Sequence, residues 1–332
     1  MCARPVTLRC AGEQINVRVG DGYDDGESSA EDRLRLRQFD AVTFSNFTWA
    51  ETEPAPNYWN FSATDAEIAF AKRHNLYVTA DHFIWDQVVY HSTPAWVMAI
   101  DNPVQLQQAM LEHISAFTKR YGDAIDQWTV VNEPLSYIGD TSAIQPNHFA
   151  SVLGPDWIAD AFRIARTGAP HASLWLNEVF TADDPAKSEA LVELVTNLVD
   201  QHVPINGVSL EGHLFTPDLT SMSPNFALVK QTLRQLSALG LQVSLSEIDA
   251  PTFPGTPDRF EVQASNIRGL VAGCLAVARC VSIDFWDIDD SKSWLDSLFN
   301  NPDVDPTLFT ANGQPKPAFG AVVSALSARR AS

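Results

Sequence analysis

Eight short runs rich in apolar and β-branched residues recur along the chain, alternating with longer stretches of helical periodicity. The runs are INVRVG (15–20), AVTFSN (41–46), LYVTAD (76–81), QWTVVN (127–132), SLWLNE (173–178), GVSLEG (207–212), QVSLSE (242–247) and VSIDFW (281–286). Between them lie amphipathic segments such as ATDAEIAFAKRHN, PVQLQQAMLEHISAFTKRYG and PNFALVKQTLRQLSALG. The last carries a proline in its expected first turn and stops on Gly240, the punctuation of a helix. Strands separated by helices pair in parallel, and eight such units close a (β/α)8 TIM barrel. No linker or low-complexity stretch divides the 332 residues. The expectation is an α/β fold in which residues 1–332 form a single (β/α)8 domain.

Nearly every run ends in a polar residue: Asn46, Asp81, Asn132 with Glu133, Asn177 with Glu178, Glu211, and Glu247. In such a barrel those ends meet at the carboxyl-terminal mouth, where active sites are built. A lone strand-terminal Asn or Asp is as readily a turn or helix-cap residue. That reading does not account for six polar ends on one rim. An ionisable glutamate beside a buried strand is costly unless a partner or a task holds it there, and Glu133 and Glu247 both follow apolar runs. A mouth lined by carboxylates and tryptophans, without phosphate-binding glycines or metal-ligand spacing, points to sugar chemistry, in which two carboxyls suffice to cleave a glycosidic bond. No cofactor and no metal is expected.

Charge narrows the partners. Lys plus Arg number 22 against 41 Asp plus Glu, a formal charge of −19, which argues against nucleic acid, whose phosphates need a basic surface. It suits a neutral or cationic ligand. No apolar run reaches the ~18 residues of a membrane span, and MCARPVTLRC lacks the apolar centre of a signal peptide. The protein is therefore expected to be secreted after loss of a leader, or else cytoplasmic, and to be a monomer. Four cysteines form two close pairs, Cys2 with Cys10 and Cys274 with Cys280. Two local pairs suggest disulfides and an oxidising compartment, with buried free thiols as the alternative.

These residues also resemble a known family. WTVVNEPL (128–135) is similar to the acid/base motif Trp-Asp-Val-Val-Asn-Glu of glycoside hydrolase family 10, the retaining endo-β-1,4-xylanases, and LSEIDA (245–250) to its nucleophile motif, Thr-Glu-Leu-Asp. WAETEP (49–54), TPAWV (93–97), GVSLEGHL (207–214), FWDIDDSKSW (285–294) and NGQPKPAF (312–319) continue the resemblance in order. It implies a β-linked oligo- or polysaccharide substrate. Glu133 would be the general acid and then the general base, with a raised pKa, and Glu247 the nucleophile, with carboxyls about 5–5.5 Å apart. Asn132 would bond the sugar's 2-hydroxyl, His213 and Asp249 would orient the nucleophile, and Trp85, Trp286 and Trp294 would wall the sugar ring. Asn46, Asp81, Asn177, Glu211 and His213 complete the expected substrate-binding set. CLAVARC (274–280) is similar to the family's small disulfide loop, which implies a Cys274–Cys280 bond.

The sequence also departs from the family. The family's Glu-Asn-Glu-Met-Lys-Trp after strand two is replaced by FSNFTW (44–49), which lacks the Glu and Lys that grip the second glycone sugar; Thr48 stands in the lysine's place. Asp81 and Asp86 take the places of two sugar-binding histidines, Glu211 that of a Gln, and Asp289 that of an Arg. His82, one step along a strand, is expected to face away. A third carboxyl at 211 is expected to raise at least one apparent pKa of the cluster through like-charge repulsion, unless a protonated His213 offsets it. Alternative readings are a glycosidase for a short or non-xylan β-glycoside, and a carbohydrate-binding barrel without activity.

Overall fold

In the computed structural model, eight strands pair in parallel and in chain order: β1 (Arg18–Tyr23), β2 (Ala41–Phe44), β3 (Tyr77–Ile84), β4 (Gln127–Asn132), β5 (Ser173–Glu178), β6 (Gly207–His213), β7 (Gln242–Asp249) and β8 (Cys280–Phe285). β8 returns to β1, so the barrel closes and no strand edge is left unpaired. The structure describes residues 2, 6–23, 28–87, 90, 92–135, 147–179, 181–182, 184–215 and 224–329. The end of the WTVVNEPLSYIG stretch, residues 136–139, lies outside them.

Strand alternation sorts the side chains into two layers. One set, including Val42, Val78, Trp128, Val130, Leu174, Leu210, Leu245 and Phe285, is buried in the main apolar core, which also holds helix residues such as Leu106, Ile114, Phe162, Leu191 and Leu233. The other set faces the lumen and is polar: Thr43, Thr79, Thr129, Ser209, Ser244 and Ser282 are all buried. Trp175 fills much of the space among them, and Gly207 opposite makes room for it; a Cβ there would sit 2.5 Å from the indole. The core that stabilises the fold therefore surrounds the barrel, while its interior is free to carry chemistry.

β4 and β5 begin and end where the sequence places them, but β1 does not. It runs over 18–23 instead of 15–20, because Gln14–Asn16 turn out of the helix Leu8–Glu13 and Asn16 is left-handed (φ 55°). The segment Gly-Asp-Gly at 20–22, which passes the expected strand end at Gly20, is strand. Asp21 is fully buried and meets Arg35 Nε through both carboxylate oxygens at 3.0 and 2.9 Å, while Arg35 also donates to the Gly22 carbonyl. Removing one partner of such a buried pair costs about 3–5 kcal/mol. β3 and β7 run further than expected, to Ile84 and Asp249. The helix Phe226–Ala238 is capped by Asn225, so Pro224 precedes the first turn instead of lying within it.

Both cysteine pairs are bonded. Cys2–Cys10 ties the amino-terminal segment to the first helix, and Cys274–Cys280 ties the end of the helix Arg259–Leu275 to the start of β8. Among the described residues, no helix is long and apolar enough to cross a membrane.

Candidate active site

The carboxyl ends of the strands open into a cavity of about 530 Å³. Glu133, just after β4, and Glu247, in β7, both line it, and both adopt left-handed backbone at φ 45° and 53°. Such conformations are uncommon for residues with a Cβ and concentrate where function demands them. The Glu133 amide donates to the Asn177 carbonyl at 3.0 Å, which binds the end of β4 to β5.

Asn177 is the hub below the cavity. Its Nδ2 lies 2.8 Å from each of Asn132 Oδ1, Glu211 Oε1 and Glu247 Oε1. Its Oδ1 accepts from the hydroxyls of Ser209 at 2.5 Å and Ser246 at 2.6 Å. At 1% exposure it is absent from the cavity wall, so the structure places it beneath the expected sugar site, where it holds other groups. Glu247 is gripped from its other side by His213, with Nε2 3.3 Å from Oε2. His213 Nδ1 lies 2.9 Å from Asp249 Oδ1, and Asp249 Oδ2 accepts from the Trp294 indole at 2.9 Å. The chain Trp294–Asp249–His213–Glu247 thus fixes one carboxylate orientation.

Burial alone would depress the His213 pKa, but the Asp249 carboxylate and then Glu247 more than reverse this, to about 10. His213 is therefore an imidazolium at neutral pH. Burial raises Glu247, with the hydrogen bonds from His213 and Asn177 opposing the rise and Asp81 adding to it. Burial also pushes Glu211 well above the usual carboxylate range, and the charges of Glu247, Glu133, Glu178 and Asp81 push it further.

Of the expected residues, Asn46, Asp81, Trp85, Asn132, Glu133, Glu211, His213, Glu247, Trp286 and Trp294 all reach the cavity. Trp85 stacks on Tyr90 with centroids 5.2 Å apart and rings 3° from parallel. His82 lines the cavity beside Asp81, against the expectation that it faces away. The pairing of β3 with β4 shifts register between Asp81 and Ile84, so simple alternation does not extend through this end of the strand. The acidic rim is narrower than the sequence suggests. Asp86 accepts from the His148 amide at the start of the helix His148–Leu153, and Asp289 accepts from the Ser291 amide and hydroxyl. Glu178 pairs with Lys187 at 2.9 Å and accepts from the Leu135 and Val179 amides. None of the three lines the cavity. Sequence reasoning missed Ser45, Glu51, Tyr90, Phe215 and Leu298 in the wall; Glu51 and Leu298 come from the short helices Trp49–Thr52 and Leu295–Phe299, which carry no strand-end signal.

Glu211, His213 and Glu247 offer three side-chain atoms within 4.8 Å of one another. A protonated imidazole bridging two carboxyls accounts for that spacing without a metal.

The model of glycosyl hydrolase family 10 matches residues 10–325. An endo-1,4-β-xylanase of Agaricus bisporus is 29% identical over 293 residues, covering 87% of this chain and 84% of that protein. Endo-1,4-β-xylanase 2 of Claviceps purpurea is 30% identical over 291 residues, covering 87% and 80%. Among solved structures, xylanase 10B of Thermotoga maritima superposes with a TM-score of 0.88 at 24% identity, over 98% of this chain and 99% of that one. Xylanase 10B of Thermotoga petrophila, solved with xylobiose, gives 0.89 at 23% identity, over 99% and 100%.

Proposed function

The chain belongs to glycosyl hydrolase family 10 as a xylanase-like retaining glycoside hydrolase, and from that premise we propose that Glu133 and Glu247 cleave a β-linked, xylan-type glycan by double displacement. Glu247 attacks the anomeric carbon while Glu133 protonates the departing oxygen; Glu133 then takes a proton from the water that releases the sugar. The observation that carries this reading is the grip on Glu247. Asn177 and His213 hold its two oxygens separately, which favours the ionised form and aims it into the cavity. When Glu247 becomes an ester its charge disappears, and the proton affinity of Glu133 falls, as its second task requires.

Asn132 is hydrogen-bonded to Asn177 on one side and exposed to the cavity on the other, which suits a contact to a sugar hydroxyl. Trp85, Trp286 and Trp294 supply ring faces for the sugar. The two disulfides favour an oxidising setting outside the cytoplasm.

The test uses an aryl β-xyloside with an activated leaving group. Glu247→Ala abolishes turnover, and azide restores it with formation of the inverted glycosyl azide, because the missing side chain leaves room on the attacking face. Glu133→Ala spares glycosylation and slows deglycosylation, since the phenolate needs little protonation while water still needs a base. Normal turnover by Glu247→Ala would eliminate the double displacement through that residue.

A further inference from the structure

The amide nitrogen of Asn177 has two hydrogens, yet Asn132 Oδ1, Glu211 Oε1 and Glu247 Oε1 all lie 2.8 Å from it. Rotating the amide by half a turn makes matters worse, because its oxygen would then face both carboxylates. Flipping Asn132 would set one amide nitrogen against another. One of the three oxygens is therefore left without a hydrogen from Asn177, and a buried carboxyl that lacks a donor favours its neutral form.

Cations are equally scarce. Glu211 is faced by Glu247 from β7, Glu133 beyond β4, Glu178 from β5 and Asp81 from β3. On its own strand, His213 Nε2 lies 3.7 Å away, farther than its 3.3 Å from Glu247. The other nitrogen of His213 is 2.9 Å from Asp249. One imidazolium thus serves three carboxylates, and Lys187 lies against Glu178 at 2.9 Å. Neighbouring buried carboxyls do not both ionise under such conditions.

We propose that Glu211 holds a proton at neutral pH and acts as a neutral positioning residue, leaving the two hydrogens of Asn177 to Asn132 and Glu247 and leaving Glu247 the single anion of the pair. This rests on reading Glu247 as the nucleophile. The partners decide which carboxyl keeps the proton. Glu247 has both the nearer imidazolium and an Asn177 contact, whereas Glu211 has the same Asn177 contact and only the more distant imidazolium. Burial and its acidic neighbours raise Glu211 accordingly. The raised apparent pKa expected of the cluster thus falls on Glu211 itself. A neutral Glu211 exerts no charge on Glu247, so it does not set the acidic limb of the pH–rate profile.

Three variants and two readouts test this on the full chain. In infrared difference spectra at neutral pH, wild type shows a protonated-carboxyl carbonyl band that Glu211→Gln lacks. With an aryl β-xyloside, the acidic limb of kcat/KM is superimposable for wild type and Glu211→Gln, and kcat of the variant stays within about threefold, since the amide is isosteric and likewise uncharged. Glu211→Leu, which removes the polar side chain beside Asn177, loses about tenfold to a hundredfold in kcat. Identical infrared spectra would overturn the proposal even if the leucine variant fails to fold, as would an acidic limb lowered by about half a unit or more in Glu211→Gln. Azide rescue of Glu247→Ala reports on the nucleophile alone. Its failure with the carboxyl band present would remove that assignment and leave the proton on Glu211.

Discussion

Glu133 and Glu247 pair an ionisable side chain with a left-handed backbone, at φ 45° and 53°. For a residue with a Cβ this conformation costs about 1–2 kcal/mol, and glycine escapes the cost. Glu247→Gly should therefore be more stable than Glu247→Ala by about 1 kcal/mol, read from the denaturant midpoint at unchanged slope. Both variants lose the same carboxylate and the same partners, so the difference isolates the backbone. Coincident midpoints would show that no strain is stored at this position. The strain and the buried charge together place the stability cost of the site at the residues proposed to do the chemistry.

At the level of elements, the segment after β2 is the one whose sequence leads us to propose a weakened second glycone subsite. Thr48, in place of a sugar-gripping lysine, caps the short helix Trp49–Thr52 by accepting from the Glu51 amide. Asn46 lines the cavity but donates to Glu67 of the helix Ser62–His74 at 2.6 Å. Both side chains line the cavity yet are engaged in local structure, and we propose that they do not grip a second glycone sugar. Charge-assisted hydrogen bonds are worth about 1.5–3 kcal/mol each. Without two of them, aryl β-xylobioside should exceed aryl β-xyloside in kcat/KM by less than about a hundredfold. A thousandfold gain would mean that Asn46, Asp81, Glu51 and their neighbours build a working second subsite by another route.

The barrel as a whole carries a buried acid away from the mouth. Asp284 of β8 faces the lumen beside Gly20 of β1. Burial raises its pKa to about 7, against opposing effects of the Ser282 hydroxyl and Arg18 and a reinforcing one of Asp40. A pKa raised on folding contributes stability below the ordinary value of 3.8 that is lost as pH climbs through about 7. Asp284→Asn should therefore match wild type in acid and exceed it above neutrality, by up to a few kcal/mol. Chemical denaturation across that range decides the matter. A constant difference between the two proteins would exclude titration of Asp284 as the cause.

Much of this was legible before any coordinates. Eight alternating runs specified a closed barrel, since strand period and crossover geometry admit few other solutions. The polar strand ends marked the rim, and the motifs singled out Glu133, Glu247, His213 and Asp249, which the structure brings to one place. What the sequence left open depended on contacts between distant segments. Gly-Asp-Gly at 20–22 continues the strand past its expected end, paired with β2 and with Asp21 held by Arg35. Asp86, Glu178 and Asp289 look like mouth residues, but nearby amides and Lys187 turn them into caps and struts. His82 reaches the cavity through an irregularity of register that alternation does not predict. Asn177 reads as one more rim amide, and only the three-dimensional structure makes it the hub that joins Asn132, Glu211 and Glu247. Periodicity is a local property, so it determined the barrel and its rim. The partner of each buried polar group is not, and only folding decided which of the rim residues were free to act.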